Sequence, residues 1–116
     1  MYKVIYTPLA VEDLKSIYKY IAFYLKAPQT AQSQTNRIRY SVKALSEFPE
    51  RNKVVDWEPW KSLCMHQLPV DKYIVFYQVN KIDKTVKIVR IFYSGRNLGY
   101  LYIDERKALH LFRCHP

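Results

Sequence analysis

Two side chains near the end of a long apolar stretch are the first candidates for chemistry. Arg96 follows Gly95 just past that stretch, where a guanidinium is free to bind phosphate or carboxylate through two hydrogen bonds. A solvated loop charge is an equally weighted alternative for Arg96. Tyr93, three residues earlier, can stack on a base or offer its hydroxyl, although packing is the simpler interpretation in a chain with 11 tyrosines.

Glu58 and His66 are the candidates for proton transfer. Glu58 lies in a loop beside Pro59 and can act as a general base, although a surface carboxylate is the simpler interpretation. His66 has no second histidine or paired carboxylate at local spacing, which favours an ordinary strand residue. We find no Ser/His/Asp set, no metal-ligand spacing and no glycine-rich phosphate loop, and we expect no cofactor and no metal.

Further basic residues can contribute to binding. Arg90 lies among apolar neighbours, where strand alternation places it on one face with Val86, Ile88 and Phe92. Such an arginine needs an acidic partner or an open face, and a structural ion pair is the favoured alternative. Three loop residues add positive charge and would form a phosphate-facing patch only if they converge: Arg51, Lys53 and Lys61.

The whole chain of 116 residues has a net charge of +9. Residues 1–60 carry nine Lys/Arg against six Asp/Glu, and residues 61–116 carry ten against four, so the halves contribute +3 and +6. A basic surface favours nucleic acid, the ribosome or an acidic protein as partner, without choosing among them.

The cysteines and the apolar runs bear on the compartment. Cys64 and Cys114 are too few and too far apart for a disulfide framework, which favours free thiols. No signal peptide and no apolar run of membrane-spanning length is visible. We therefore expect a cytoplasmic protein with no membrane partner.

Residues 68–97 are the element that must position these side chains. Two β-branched and aromatic runs, at residues 73–79 and 85–93, are separated by a short polar segment, which predicts a β-hairpin. Arg90 falls inside the second run, and Tyr93 and Arg96 fall at its exit. This exit is where we first look for function.

The remaining pattern predicts one strand, two helices and another strand before the hairpin. Residues 2–6 read as a strand, and Thr7 and Pro8 are typical of a helix start. The first helix is predicted to end near Lys26, and a second helix to run from residue 29 or 30 to Phe48. A loop at residues 50–61, pinned by Trp57 and Trp60, follows. A strand at 63–68 and a turn at 69–72 then lead to the hairpin.

This order, β-α-α-β-β-β, predicts an α+β fold in which the N-terminal helical hairpin packs on one face of an antiparallel sheet. The first strand must join an edge of that sheet or stay unpaired. The second face would hold basic residues and tyrosines. We expect one domain at residues 1–97 and a tail at 98–116, in which Asp104 can cap a short helix at 105–112.

Four segments in this order resemble the RelE/ParE superfamily of bacterial toxins. They are VIYTPLAVEDLKSIYKYI at residues 4–21, FPE at 48–50, LPVDKYIVFYQV at 68–79 and VKIVRIFYSGRN at 86–97. The resemblance implies the toxin of a type II toxin–antitoxin pair, neutralised by a cognate antitoxin protein. It also implies one of two targets, DNA gyrase for ParE-like toxins or mRNA in the ribosome for RelE-like toxins.

Residue by residue, the resemblance favours the ParE side. RelE-like nucleases carry an arginine after the position of Tyr73, where this chain has Ile74, and basic residues where it has Met65 and Gln67. Arg96, Tyr93 and, in one branch, Glu58 match the remaining nuclease positions. The resemblance therefore implies a gyrase poison, with a ribosome-dependent mRNA endoribonuclease as the alternative.

Overall fold

The computed structural model describes residues 1–58 and 60–94. The elements are β1 (Lys3–Tyr6), α1 (Pro8–Lys19), α2 (Pro28–Lys43), β2 (His66–Val70), β3 (Tyr73–Asn80) and β4 (Thr85–Tyr93). The order and the α+β class agree with the prediction. The predicted C-terminal helix lies outside the described residues.

The four strands form one mixed sheet in the order β1-β4-β3-β2. Strands β2, β3 and β4 form the predicted antiparallel meander, and β1 joins its edge beside β4. The sheet is not wholly antiparallel, because β1 runs parallel to β4. The intervening helices allow this direction, since they carry the chain back across the sheet before β2 begins.

Thr7 joins the start of α1 to the sheet. Its hydroxyl accepts a hydrogen bond from the Ala10 N–H at 3.1 Å and donates one to the Val89 carbonyl at 3.0 Å. Pro8 takes the first helical position, where a backbone donor would be unpaired in any case. The predicted cap is confirmed, and it also fixes where α1 leaves the sheet edge.

The first helix is shorter than predicted. It ends at Lys19, and a five-residue π-helical turn, Tyr20–Tyr24, follows in place of a continuous α-helix to Lys26. The Leu25 N–H donates to the Tyr20 carbonyl at 3.0 Å, and Lys26 adopts a left-handed φ of 55°. Apolar spacing alone cannot separate such a turn from the helix that it extends.

A β-bulge interrupts the alternation of β4. Phe76 pairs with Arg90 whereas Tyr77 pairs with Ile88, so Val89 is the extra residue. Ile88 and Ile91 therefore both pack on the helix side of the sheet, whereas Val89 and Phe92 pack on the opposite side. The strict alternation predicted from Val86 to Phe92 is wrong for this reason.

The sheet has an apolar cluster on each face. The helix side buries residues of both helices against β3 and β4, including Leu14, Ile38, Val42, Val75 and Ile88. The opposite side buries a second cluster, consisting of Val55, Trp60, Leu63, Met65, Phe76, Val89 and Phe92. The prediction that this face holds basic residues and tyrosines is therefore wrong where the second cluster lies.

The loop before β2 also corrects two predictions. Leu63 and Cys64 lie in a turn, in which Cys64 has a φ of 53°, and the strand begins only at His66 and extends through Pro69 to Val70. Cys64 is disulfide-bonded, so the expectation of a free thiol is wrong there. Free thiols therefore no longer support the expected cytoplasmic location.

Candidate functional site

Arg90 is held by an acidic partner on the first helix. Its Nε donates to Asp13 Oδ2 at 2.8 Å and its Nη2 to Asp13 Oδ1 at 2.9 Å, while the guanidinium lies 4.5 Å from the centre of the Phe92 ring. The two side chains are 18% and 15% exposed. This geometry matches the ion-pair alternative for Arg90, and it uses the Nε and Nη2 donors of one side of the guanidinium.

Glu58 is engaged within its own loop. Its carboxylate accepts hydrogen bonds from the Ser62 N–H, at 2.7 Å, and from the Ser62 hydroxyl. The bond from the Ser62 hydroxyl has the larger effect and the bond from the Ser62 N–H the smaller, and both hold the pKa of Glu58 below its usual value. A carboxylate with a lowered pKa is a weaker general base, so this setting does not favour proton abstraction.

Arg51 is used to close the end of the second helix. Its Nε donates to the Phe48 carbonyl and its Nη2 to the Ala44 carbonyl, both at 2.9 Å. These carbonyls belong to the end of the helical layer, where acceptors are otherwise unpaired. Lys53 and Lys61 are exposed in the same loop. Arg51 is therefore committed locally, and the two lysines are the accessible charges of this group.

Tyr93 lies in an aromatic group at the end of β4. Its ring meets Tyr73 edge to face with 5.8 Å between centroids. Burial raises the pKa of Tyr73, and the nearby Tyr93 and Tyr20 add to that rise. Glu58 is bonded to Ser62 whereas Tyr93 packs against Tyr73, so these contacts do not bring the two nuclease candidates together. Arg96 lies outside the described residues.

Ile74 and Met65 belong to the apolar face of the sheet. Met65 is fully buried in the second cluster, and Ile74 packs against it. Trp60 covers this face, stacked on Phe76 with 4.7 Å between ring centroids, and Trp57 meets both rings edge to face. The predicted pinning of the loop by its tryptophans is confirmed, and the face they cover is apolar.

A groove of about 750 Å³ lies between α1, α2 and β1, and sequence reasoning missed it. Its apolar lining includes Val4, Val11, Leu14 and Val42, and burial raises the pKa of Tyr6 on its floor, an effect that the nearby Arg39 opposes. Four cations also line it, namely Lys15, Lys19, Arg39 and Lys43. None of the described residues that line the groove is acidic.

The sequence did contain a signal for this groove. Residues 14–46 include six Lys/Arg and no Asp or Glu, so this stretch carries a net charge of +6, whereas the whole chain carries +9. Only the ends of this stretch are flanked by acids, Asp13 and Glu47. A long cationic run with a helical apolar period indicates a surface for an anionic, partly apolar partner.

The described residues contain neither a candidate metal cluster nor a helix that could span a membrane. No group of three or more His, Cys, Asp or Glu there could hold a metal ion. None of the helices at residues 1–58 and 60–94 has the length and apolarity needed to cross a bilayer.

The fold and these surfaces can be compared with known proteins. The chain matches the family model described as the ParE toxin of the type II toxin–antitoxin system parDE over residues 4–98. It is also 30% identical to Toxin RelE2 of Caulobacter vibrioides over 96 residues, which is 83% of this chain and 99% of that protein. It is thus a toxin of the type II toxin–antitoxin class. Within that class it belongs to the ParE toxin family of the RelE/ParE superfamily.

Solved structures share the fold. A chain of the chromosomal ParDE system of P. aeruginosa matches with a TM-score of 0.66 and 21% identity, covering 80% of this chain and 96% of that one. A chain of the RelBE2 complex of Mycobacterium tuberculosis matches with a TM-score of 0.57 and 20% identity, covering 79% and 96%. The archaeal RelE–RelB complex of Pyrococcus horikoshii gives 0.56 and 24%, covering 82% and 97%.

Proposed function

We propose that this toxin arrests growth by poisoning DNA gyrase and that a cognate antitoxin neutralises it. The observation that carries the choice of target is the apolar environment of Met65 and Ile74. By resemblance, RelE-like nucleases place basic side chains at these positions to bind the phosphates of mRNA. Here one of the two side chains is buried in an apolar cluster and the other packs against it.

The loop over this face strengthens the argument. An RNA-cleaving site on this face would need the phosphates of the RNA to reach the sheet. The basic side chains that bind them would have to stay solvated or paired, because burying an unpaired charge is costly. Trp60 instead lies flat on Phe76 and contacts Phe92, and Trp57 closes the edge. A face filled by aromatic packing supports a role in the fold and argues against a phosphate channel.

The second candidate is ribosome-dependent cleavage of mRNA. It is supported by the net charge of +9, by the 45% exposure of Tyr93 and by the 30% identity to a protein named Toxin RelE2. It requires a general base and phosphate ligands. Glu58, which is bonded to Ser62, is a poor general base, and Arg90, which is paired with Asp13, is a poor phosphate ligand. Tyr93, Lys61 and Arg96, the last of which lies outside the described residues, remain as candidates.

A gyrase assay with the purified toxin tests the first candidate. We expect inhibition of supercoiling and accumulation of cleaved DNA at toxin excess, both reversed by the antitoxin. Normal supercoiling at toxin excess would contradict the proposal. A translation extract serves as the comparison, because mRNA cleaved there by wild-type toxin but not by Tyr93→Phe or Arg96→Ala variants would establish the nuclease instead.

The antitoxin partner is proposed to occupy the groove between α1, α2 and β1. The groove joins an apolar floor to the cations Lys15, Lys19, Arg39 and Lys43. Of these four, Lys15 alone has an ion pair among the described residues, with Glu12 at 3.6 Å on the exposed surface. An amphipathic segment with carboxylates along both flanks of an apolar stripe matches this surface.

The adjacent gene gives a direct test of the antitoxin proposal. We expect a small acidic product of a neighbouring reading frame to bind the toxin, to restore growth when both are expressed and to protect α1 and α2 from hydrogen exchange. Protection confined to β2 and the loop at residues 50–58 would place the antitoxin elsewhere and contradict this interface.

A further inference from the structure

Six aromatic and aliphatic side chains lie at the π-helical turn after α1, at the start of β3 and at the end of β4. We call this surface the aromatic tip; it consists of Tyr20, Phe23, Tyr24, Leu25, Tyr73 and Tyr93. Tyr20 and Tyr24 stack with 5.0 Å between ring centroids, and Tyr73 meets Tyr93 at 5.8 Å. Tyr20 also adds to the rise in the pKa of Tyr73, which agrees with the two pairs being neighbours.

The aromatic tip is unusually exposed for such side chains. Tyr20 is 52% exposed, Phe23 72%, Tyr24 74% and Leu25 53%. These four large side chains lie within one π-helical turn and the residue after it, and they leave apolar area in water. Exposed patches of this kind mark interaction sites in soluble proteins, and π-helical turns recur at functional sites.

Among the described residues, the charged side chains next to the aromatic tip in the sequence are three lysines and one neutralised aspartate. Lys19 and Lys26 flank the π-helical turn, and Lys72 precedes Tyr73. None of the three makes an ion pair within residues 1–58 and 60–94. The nearby carboxylate of Asp71 is already bound by Arg37 at 2.8 Å. The surface therefore offers apolar anchors inside a ring of available cations.

We infer that the aromatic tip is the surface with which the toxin binds its protein target, and that it fits an apolar pocket rimmed by carboxylates. This inference rests on the proposed function, in which the target is a protein. Phe23 and Leu25 favour a protein over nucleic acid, because neither has a polar atom and Leu25 has no ring on which a base could stack. Tyrosines with few rotatable bonds are frequent energetic anchors of protein interfaces.

The aromatic tip is separate from the groove proposed for the antitoxin. No residue of the aromatic tip lines the groove, although Tyr18 and Lys19 do so from the preceding turn of α1. Substitutions in the tip should therefore change target binding without changing antitoxin binding. This separation makes the inference testable with a single pair of variants.

The test compares a Phe23→Ala/Tyr24→Ala double variant with Tyr40→Ala. Tyr40 is 78% exposed on α2 and belongs to neither surface, so it is a matched control for losing an exposed aromatic ring. We expect the double variant to bind purified gyrase at least about tenfold more weakly and to lose growth arrest on induction. Tyr40→Ala should match wild type, and all three proteins should share one thermal midpoint and one antitoxin affinity.

Each other outcome has a defined meaning. Wild-type growth arrest and gyrase affinity in the double variant would overturn the inference, as would a loss of affinity for a single-stranded oligonucleotide with gyrase affinity intact. Wild-type toxin that arrests growth without binding gyrase would overturn the proposed function alone, since the growth-arrest comparison still decides whether the tip binds the target. Wild-type toxin that does neither would overturn both.

Discussion

Arg90 of β4 and Asp13 of α1 form a two-point ion pair at the edge of the sheet, 77 residues apart in the chain. The same carboxylate accepts the Ile91 N–H at 2.9 Å. Within residues 1–58 and 60–94, no strand pairs with this edge of β4 beyond Tyr6, so Asp13 satisfies a backbone donor that β1 is too short to reach. The pair therefore closes the sheet edge as well as neutralising Arg90.

Replacing Asp13 with alanine should destabilise the toxin strongly. The substitution leaves the largely buried Arg90 unpaired and the Ile91 N–H without an acceptor, at a cost of about 3–5 kcal/mol. Urea unfolding followed by circular dichroism measures this cost. Glu12→Ala is the control, since its ion pair with Lys15 is exposed and should contribute less than about 0.5 kcal/mol. Equal stabilities for the two variants would contradict the structural role of Arg90.

The covering of the second sheet face leads to a prediction about its two tryptophans. Trp60 is fully buried and stacked on Phe76, so Trp60→Ala should cost about 3–5 kcal/mol. Trp57 is half-buried at the edge, and Trp57→Ala should cost roughly 1–2 kcal/mol. Thermal unfolding of both variants measures the difference. A Trp57 variant as unstable as the Trp60 variant would show that the edge, not the stack, supports this face.

The extent to which sequence predicts this structure depends on the range of the interactions. The hairpin strands were predicted at residues 73–79 and 85–93 and are observed at Tyr73–Asn80 and Thr85–Tyr93, because alternation and the polar turn act locally. The helix cap at Thr7 is also predictable, because its hydroxyl binds the N–H of Ala10 only three residues away. The bulge at Val89 is not predictable from local sequence, because it lies where Thr7 and Asp13 of the α1 region bind the backbone of β4.

The candidate sites also depend on contacts between residues that are distant in the sequence. The choice between a charged binding residue and an ion pair at Arg90 needed a partner 77 residues away, which no local spacing reveals. The groove needed two helices and a strand in register, although the acid-free run at residues 14–46 was visible in the sequence. The aromatic tip was missed because the helical period continues unchanged into the π-helical turn.

The Asp71 carboxylate should make stability depend on acid pH. Hydrogen bonds from Arg37 and then from Gln34 lower its pKa, so the folded state favours the ionised form. A lowered folded pKa contributes stability above the unfolded value, about 3.9, and that contribution is lost as the pH falls through the folded pKa. The thermal midpoint of wild type should therefore approach that of Asp71→Asn as the pH falls below about 4. A constant gap down to the lowest pH would contradict this linkage.

Reversing one charge in the groove should weaken the antitoxin complex selectively. Arg39→Glu places a carboxylate among Lys15, Lys19 and Lys43, where the proposed antitoxin carboxylates bind, and we expect roughly a tenfold to hundredfold loss of affinity, or about 1.4–2.8 kcal/mol. Isothermal titration at low and high salt measures it, and the wild-type complex should lose more affinity in salt than the variant complex. Lys53→Glu, an equal charge reversal at an exposed loop position away from the groove, is the control and should bind within about twofold of wild type. An Arg39 variant with wild-type affinity, or a Lys53 variant as weak as Arg39→Glu, would mean that overall charge and not the groove attracts the antitoxin.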